Sequence, residues 1–350
     1  MPLPDQRIAI YKRLIAPQRH ADPLIVPSPH ELPPAATQDH AARLDATEIL
    51  DTTAGELRRR LHQRLELYGP VILTGHQAEF FHAGVFAKAI AADALAETTG
   101  GVPVYMTVDN DTPKSAALTI PRVVDGEVRR VAISIPGCTP DLPMEHQPAV
   151  ARDVWRRFFA QARRDAPPVG ESLLDAFEHG WFAESTDRIA PVDGFMRAHI
   201  AAERALQLRG AVPLRVSRLA QTCEFRAFAA HLLLDARRFA ADYNAAQRAY
   251  RRRRRVRALL RPVPPLAEHG GRTESPFWVV PESGTRRRLF VAVAGKTLTL
   301  FADASPIAEI DADILRRAAG DPRPWPMEER GWQLRPRALS LSAFSRLFLS

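Results

Sequence analysis

Between Thr74 and Gly84 the chain places two histidines (His76, His82), two phenylalanines (Phe80, Phe81) and two glycines (Gly75, Gly84), and further on it carries Asp109-Asn110-Asp111. These residue types suit a charged ligand. Imidazoles can donate to phosphate oxygens, and a glycine lets a ligand approach the backbone closely. The first amides of a following helix have no partner within it and attract anions. Asp109 and Asp111 are spaced i, i+2, so they point the same way if a strand continues through them. Paired carboxylates there suit a substrate amine, a divalent metal or a proton in transit. The sharpest reading groups Thr74, Gly75, His76, Gln77 and His82 with Asp109 and Asp111 around one pocket. The glycine loop would hold a phosphate or carboxylate, and the aspartates an amine. The plainer reading has Phe80 and Phe81 in the core, the histidines capping a helix, and the aspartates in a polar turn before Pro113.

The flanking segments explain why these groups should meet. Val71–Leu73 is a short apolar run, an alanine-rich helix is expected from about Val85 to Glu97, and Gly100-Gly101 precedes a second apolar run, Val102–Val108. Strand, helix and strand at this spacing predict a right-handed parallel βαβ unit. Ligands of such units sit beyond the carboxyl ends of the strands, where both candidate segments fall. Neither a Gly-Lys-Ser/Thr phosphate loop nor a GxGxxG fingerprint is present.

Elsewhere the periodicity predicts a helix from Ala46 to Tyr68 and two β-runs between Leu118 and Ile135 around Asp125-Gly126. Mostly helical material is expected over 151–210, a returning strand at Val212–Val216, and a long helical pattern from Phe225 to Leu260 containing Arg251–Arg255. Phe277–Val280 and Arg288–Val293 read as a hairpin across Gly284, with Thr297–Phe301 as a third strand. The apolar residues of LSLSAFSRLFLS run almost to Ser350, whereas natural ends are usually polar, so the chain is expected to continue.

A formal charge of +8 points to anionic partners. Only four of the 48 basic residues are lysine (Lys12, Lys88, Lys114, Lys296), so an arginine-rich codon bias accounts for part of that charge. The Arg251–Arg255 run reads as a solvated helical face, since no aromatic interleaving or reading motif accompanies it, and nucleic acid is not the expected partner. Cys138 and Cys223 lack a CxxC partner and give no disulfide framework. No apolar stretch suits a membrane span or a signal peptide, so a cytoplasmic protein is expected.

The stretch VILTGHQAEFF, followed by AKAIAADALAETTGGVPVYMTVDNDTPK, resembles the N-terminal signature of the bacillithiol-biosynthesis cysteine-adding enzymes. Thr74, Gly75, Gln77, Phe80, Lys88, Val102, Pro103, Val104, Asp109 and Asp111 match that pattern, and Leu334-Arg335-Pro336 resembles a second family segment, which precedes a strand and a glycine-rich turn. His76 and Asn110 depart from it: the family has glutamine and histidine there. The chain is also shorter than typical members.

The resemblance implies an α/β fold with a Rossmann-like parallel sheet related to synthetase nucleotide-binding folds and a largely helical insertion. It implies a ligase-like enzyme that joins cysteine, or another amino acid, to the amine of a small sugar-derived acceptor, with ATP or ADP as the candidate cofactor. On this reading Asp109, Asp111 and His76 are catalytic, and Thr74, Gly75, Gln77, His82, Gly84, Asn110 and Arg335 bind ligand; no metal is assigned. The expected organisation is an arm and helix over 1–68, a βαβ core over 69–150, a helical insertion with a returning core strand over 151–275, and a β-rich segment over 276–350. A non-catalytic nucleotide- or metabolite-binding relative is the first alternative, and a basic nucleic-acid-binding protein the second.

Overall fold

The computed structural model describes residues 15, 18–19, 44–80, 83–166, 173–256, 264–282, 284–321 and 323–349. The chain divides into Met1–Arg43 and Leu44–Ser350, and the elements below belong to the second unit.

Its architecture is mixed α/β. Strand β1 (Val71–Gln77) pairs in parallel with β2 (Val102–Val108) from Val71↔Val102 to Gln77↔Val108. Helix α1 (Ala54–Arg64) precedes β1, and α2 (Ala83–Thr99) crosses between the two strands. Helix α2 ends at Gly100, whose φ of +64° suits the left-handed position, and the Gly101 amide donates to the carbonyl of Ala96 at 2.8 Å. That pattern closes a helix end and turns the chain straight into β2. Strand β5 (Val212–Arg215) pairs in parallel with the other side of β2, making β2 the centre of a three-stranded sheet.

Between β2 and β5 lie the hairpin β3 (Ala117–Val124) and β4 (Glu127–Ser134), then α3 (Arg152–Asp165), α4 (Leu173–Trp181) and α5 (Pro191–Ala205). Asp125 and Gly126 both have positive φ, as a two-residue hairpin turn requires. Trp155, Phe158, Phe159, Trp181 and Phe195 form a separate aromatic core here, with Ile120 and Ile133 from the hairpin.

The short helix α6 (Val216–Leu219) follows β5, and α7 (Cys223–Leu234) and α8 (Ala236–Arg254) replace the single long helix expected from 225 to 260. The break falls at Asp235, whose φ of −126° is not helical, and α8 stops at Arg255 in the left-handed region. Residues 257–263 lie outside the described residues.

The last third is an antiparallel six-stranded sheet. Strands β6 (Glu268–His269), β7 (Arg272–Pro281), β8 (Arg287–Ala294), β9 (Thr297–Ala302) and β10 (Ser305–Asp311) follow in that order, and β11 (Trp332–Pro336) pairs with β7. Helix α9 (Ala312–Arg316) follows β10, a single turn α10 (Pro326–Glu329) precedes β11, and α11 (Ala338–Phe348) follows it. The larger core joins the two sheets through Phe225, Phe228, Phe277, Val279, Phe344 and Phe348.

Several expectations change. The helix expected over 46–68 is only Ala54–Arg64, because Thr53 caps it and Leu50 turns the chain with a φ of +58°. Leu57 and Leu61 belong to the larger core, so α1 is part of the main body and not of an arm ending at 68. Residues 275 and 276, where a boundary was expected, lie within strand β7, whose pairing with β8 shifts register between Glu274 and Trp278. Leu334-Arg335-Pro336 lies inside β11 and leads into α11, where the resemblance implied a further strand and a glycine-rich turn. Among the described residues no helix is long and apolar enough to cross a membrane.

Candidate functional site

A cleft of about 730 Å³ opens at the carboxyl ends of β1 and β2, with the ends of β7 and β11 and the start of α11 as its far wall. Thr74, Gly75, His76 and Gln77 of β1, and Asn110 and Asp111 after β2, are among its lining residues. A groove of similar size, about 700 Å³, runs between α4 and α5, lined by alanines, Gly180 and Ile200 with Asp175, His179, Arg197 and Arg204 beside them, and it lies away from the strand ends. Polar groups converge at the first cleft, the default place to look for a ligand.

The two aspartates separate. The Asp109 amide donates back to the Thr107 carbonyl at 3.0 Å, a tight turn that ends the strand at Val108 and breaks the two-residue alternation. Asp109 is then 0% exposed. It accepts from the Ser217 amide at 2.8 Å and from Arg215 Nε at 2.7 Å, and from the Ser217 hydroxyl as well. Its carboxylate ties β2 to the start of α6 and leaves the cleft. Asp111 goes the other way. It pairs with Arg286 and accepts from Gln77 Nε2 at 2.6 Å. The expectation that both carboxylates face one amine is therefore corrected: one is structural, and the other is already matched to a guanidinium.

Gly75 is corrected too. A Cβ on Gly75 would lie 2.1 Å from the Met106 carbonyl oxygen, so the close approach it permits is to β2 of the same sheet. Asn110 reaches the cleft, but its Nδ2 donates to the Pro336 carbonyl at 2.7 Å and joins the end of β2 to the end of β11. Arg335 does not reach it: its guanidinium is buried against Glu145 (Nη2 to Oε2, 2.8 Å). Gly84, on the first turn of α2, is not among the lining residues. His82 and Phe81 lie outside the described residues. Phe80 packs in the aromatic core, 4.8 Å from Phe195 and 5.8 Å from Phe158 between ring centroids.

Sequence reasoning missed the far wall. Trp278 carries Arg286 and Arg337 against its indole, 4.9 and 4.7 Å from the ring centroid, which orients both guanidiniums. Arg337 also donates to Glu274 at 2.6 Å. With Lys88, Lys114 and Arg346 these make five cationic side chains lining the cleft against one carboxylate, Asp111, among the described residues. Lys88 reaches the Gly75 carbonyl at 3.4 Å. Two of only four lysines in the chain line this one cleft, a signal the composition carried.

His76 lines the cleft with its Nδ1 3.3 Å from the Gln77 carbonyl oxygen and 3.6 Å from Glu79 Oε1. Burial is the main cause lowering its pKa below the ordinary imidazole value, and Lys88 and Lys114 push the same way. No group of three or more His, Cys, Asp or Glu side chains is placed to hold a metal ion among the described residues. No protein-family model matches this chain, and no curated protein matches it.

Proposed function

We propose that this chain is a ligase-like enzyme that joins cysteine, or another amino acid, to the amine of a small sugar-derived acceptor, with a phosphate or carboxylate of its ligands held in the cleft. The observation that carries the proposal is the convergence of Lys88, Lys114, Arg286, Arg337 and Arg346 on the carboxyl ends of a parallel strand pair. Such a charge balance favours polyanions over amines. A nucleotide triphosphate fits the same donor set, and these five side chains would hold it. When bound, ATP supplies the leaving group that lets a carboxylate acylate an amine. The relation to synthetase nucleotide folds belongs to the same proposal and is supported by the parallel sheet with its crossover helix.

The site itself does three things in this reading. The guanidiniums on Trp278 orient an anion bidentately, Lys88 and Lys114 add charge at the rim, and the Asp111–Arg286 pair sets the separation of the two walls. Incubating the protein with ATP, cysteine and glucosaminyl malate, and following the cysteinyl amide by mass spectrometry, tests the reaction. Thermal-shift measurements with pyrophosphate, ATP and ADP test the cleft. Product together with a raised Tm supports the proposal; a flat Tm with every anion removes it. One observation favours a second reading, a non-catalytic binder: both carboxylates of the acidic cluster are engaged by protein groups. A raised Tm with no amide from any amino acid and amine pair would select that reading.

A further inference from the structure

The second half of α8 takes no part in the cleft, none of whose described lining residues lies on that helix. Ala236 and Ala240 are its buried residues, and from Ala241 to Val256 no residue is buried. Tyr243, Gln247, Arg251 and Arg254, spaced four, four and three apart, are half-buried and mark the side turned to the body. The other sides are open. Past Asp242, which pairs with Arg238 at 3.8 Å, the stretch to Val256 carries six arginines and no acid. Among the described residues the side chains of Arg248, Arg252, Arg253 and Arg255 have no hydrogen-bond or ion-pair partner. A helix dipole favours cations in the last turn, which accounts for Arg251–Arg254 but not for Arg248, a turn earlier.

The helical period sorts these groups into two flanks and a floor. Arg248, Arg252 and Arg255, spaced four and three apart, lie along one flank and cover about 10 Å of the axis. Tyr250, 61% exposed, and Arg253, three residues on, lie along the opposite flank. Ala241, Ala245 and Ala249, all exposed, form the low ridge between them. A stacked nucleic-acid strand carries one phosphate about every 3.4 Å, so the arginine flank spans about three of them. Its bases lie to one side of the phosphates, over the alanines and toward Tyr250.

An anionic membrane fits less well. A helix lying in a lipid interface buries large apolar side chains, and α8 has no Leu, Ile, Val, Met or Trp. An exposed ring beside arginines is instead what unpaired bases stack on. The sequence pattern reads as a solvated face because no aromatic interleaves with the arginines; the structure adds the exposed ring at their edge. We infer that this face of α8 docks single-stranded nucleic acid, with phosphates on Arg248, Arg252 and Arg255 and a base on Tyr250. Beyond Asp242 the exposed residues include no Asn, Gln, Ser or Thr, so backbone and ring are recognised and base edges are not.

Fluorescence anisotropy with labelled oligothymidine and oligouridine dodecamers tests this on the full chain, over about 50–200 mM salt. The two should bind alike. Replacing Arg248, Arg252 and Arg255 together with glutamine should weaken binding about tenfold at the lowest salt. It should also reduce the slope of log K against log salt by about 2, at about 0.7 per phosphate contact. Tyr250→Ala should weaken binding about tenfold and leave the slope as it was. Lys88→Gln with Lys114→Gln, in the cleft, should change neither. All these side chains are exposed, and an unchanged Tm confirms that folded proteins are being compared. No binding by the wild type at low salt overturns the inference, whatever the variants do. Wild-type affinity in either the arginine or the tyrosine variant overturns it as well. So does a loss caused by the cleft lysines, or tighter binding to phosphatidylserine vesicles than to the oligonucleotides.

Discussion

The two sides of the β2 terminus use the same residue type for opposite ends. On the inner side Asp109 is sealed against Arg215 and Ser217; on the outer side Asp111, its side chain 33% exposed, meets Arg286 and Gln77 at the mouth of the cleft. Two residues apart, one carboxylate holds the sheet to a helix and the other tunes the charge of an opening. A pair of acids at a strand end is therefore not evidence of a shared ligand until the turn after the strand is known. The inner side should dominate stability and the outer side binding.

The largest effect expected is at Asp109. Asp109→Ala removes a fully buried carboxylate and leaves the Ser217 amide and hydroxyl without their acceptor, while Arg215 keeps Asp193. At roughly 1–3 kcal/mol for each buried group left unpaired, the loss should be about 4 kcal/mol. Urea denaturation should show that loss. A change below about 1 kcal/mol would place Asp109 with the ordinary surface groups and erase the contrast.

Gly75 extends the comparison from side chains to backbone. Gly75→Ala sets a methyl against the Met106 carbonyl, which cannot move without disturbing the β1–β2 ladder, and should destabilise the fold by about 3 kcal/mol. If the variant keeps full stability and loses only pyrophosphate binding, Gly75 belongs to the ligand after all.

What the sequence made legible follows from how local each signal is. The βαβ unit, the Asp125-Gly126 hairpin and the returning strand at Val212 rest on short-range pattern, and the structure has all three. The direction of Asp109 depended on a single turn hydrogen bond, which spacing does not encode. The far wall of the cleft, Trp278, Arg286, Arg337 and Arg346, comes from more than 160 residues downstream, and only tertiary folding brings it to β1. Arg335 shows the converse: it matched a family segment, yet its pairing with Glu145 takes it into the interior. The relation to nucleotide-binding synthetases stays a proposal because the parallel sheet has three strands, a motif shared by many folds.

Charge removal at the rim tests the outer side directly. Replacing Lys88 and Lys114 together with glutamine should weaken pyrophosphate binding about tenfold at low salt, since both side chains are exposed and act as screened point charges. Titration calorimetry at two ionic strengths measures it. The loss should shrink as salt rises; a salt-independent loss would mean that the lysines shape the cleft instead of charging it.

Acid should act on both kinds of region. His62 and His231 do not line the cleft; burial lowers the pKa of each, and His231 Nδ1 accepts from the Leu50 amide at 3.3 Å. His76 is lowered by burial at the cleft. A base whose folded pKa is depressed binds protons more readily in the unfolded chain, so stability is full above the ordinary value of 6.5 and falls as pH drops below it. Tm should decline from pH 7.5 to pH 5. His231→Gln and His76→Gln should each flatten part of that decline. A decline that neither variant changes would mean that other groups carry it.

The smallest stability effect, and the one with the most telling sign, is at Asp111. The side chain is partly solvated, so Asp111→Asn should change stability by no more than about 1 kcal/mol. Its consequence for binding follows from the company it keeps. Asp111 is the one carboxylate among the described lining residues, and it neutralises Arg286 across the cleft. Asparagine keeps the size and an acceptor toward Gln77, but it leaves Arg286 with its full charge directed at whatever enters. Pyrophosphate should therefore bind more tightly to Asp111→Asn than to the wild type, by a margin that falls with added salt. If Asp111 instead held a ligand amine, the variant would weaken amine-bearing ligands such as cysteine and leave pyrophosphate untouched. Calorimetric titration with both ligands separates the cases, since the sign of the pyrophosphate change alone decides whether this carboxylate restrains an anion site or serves an amine.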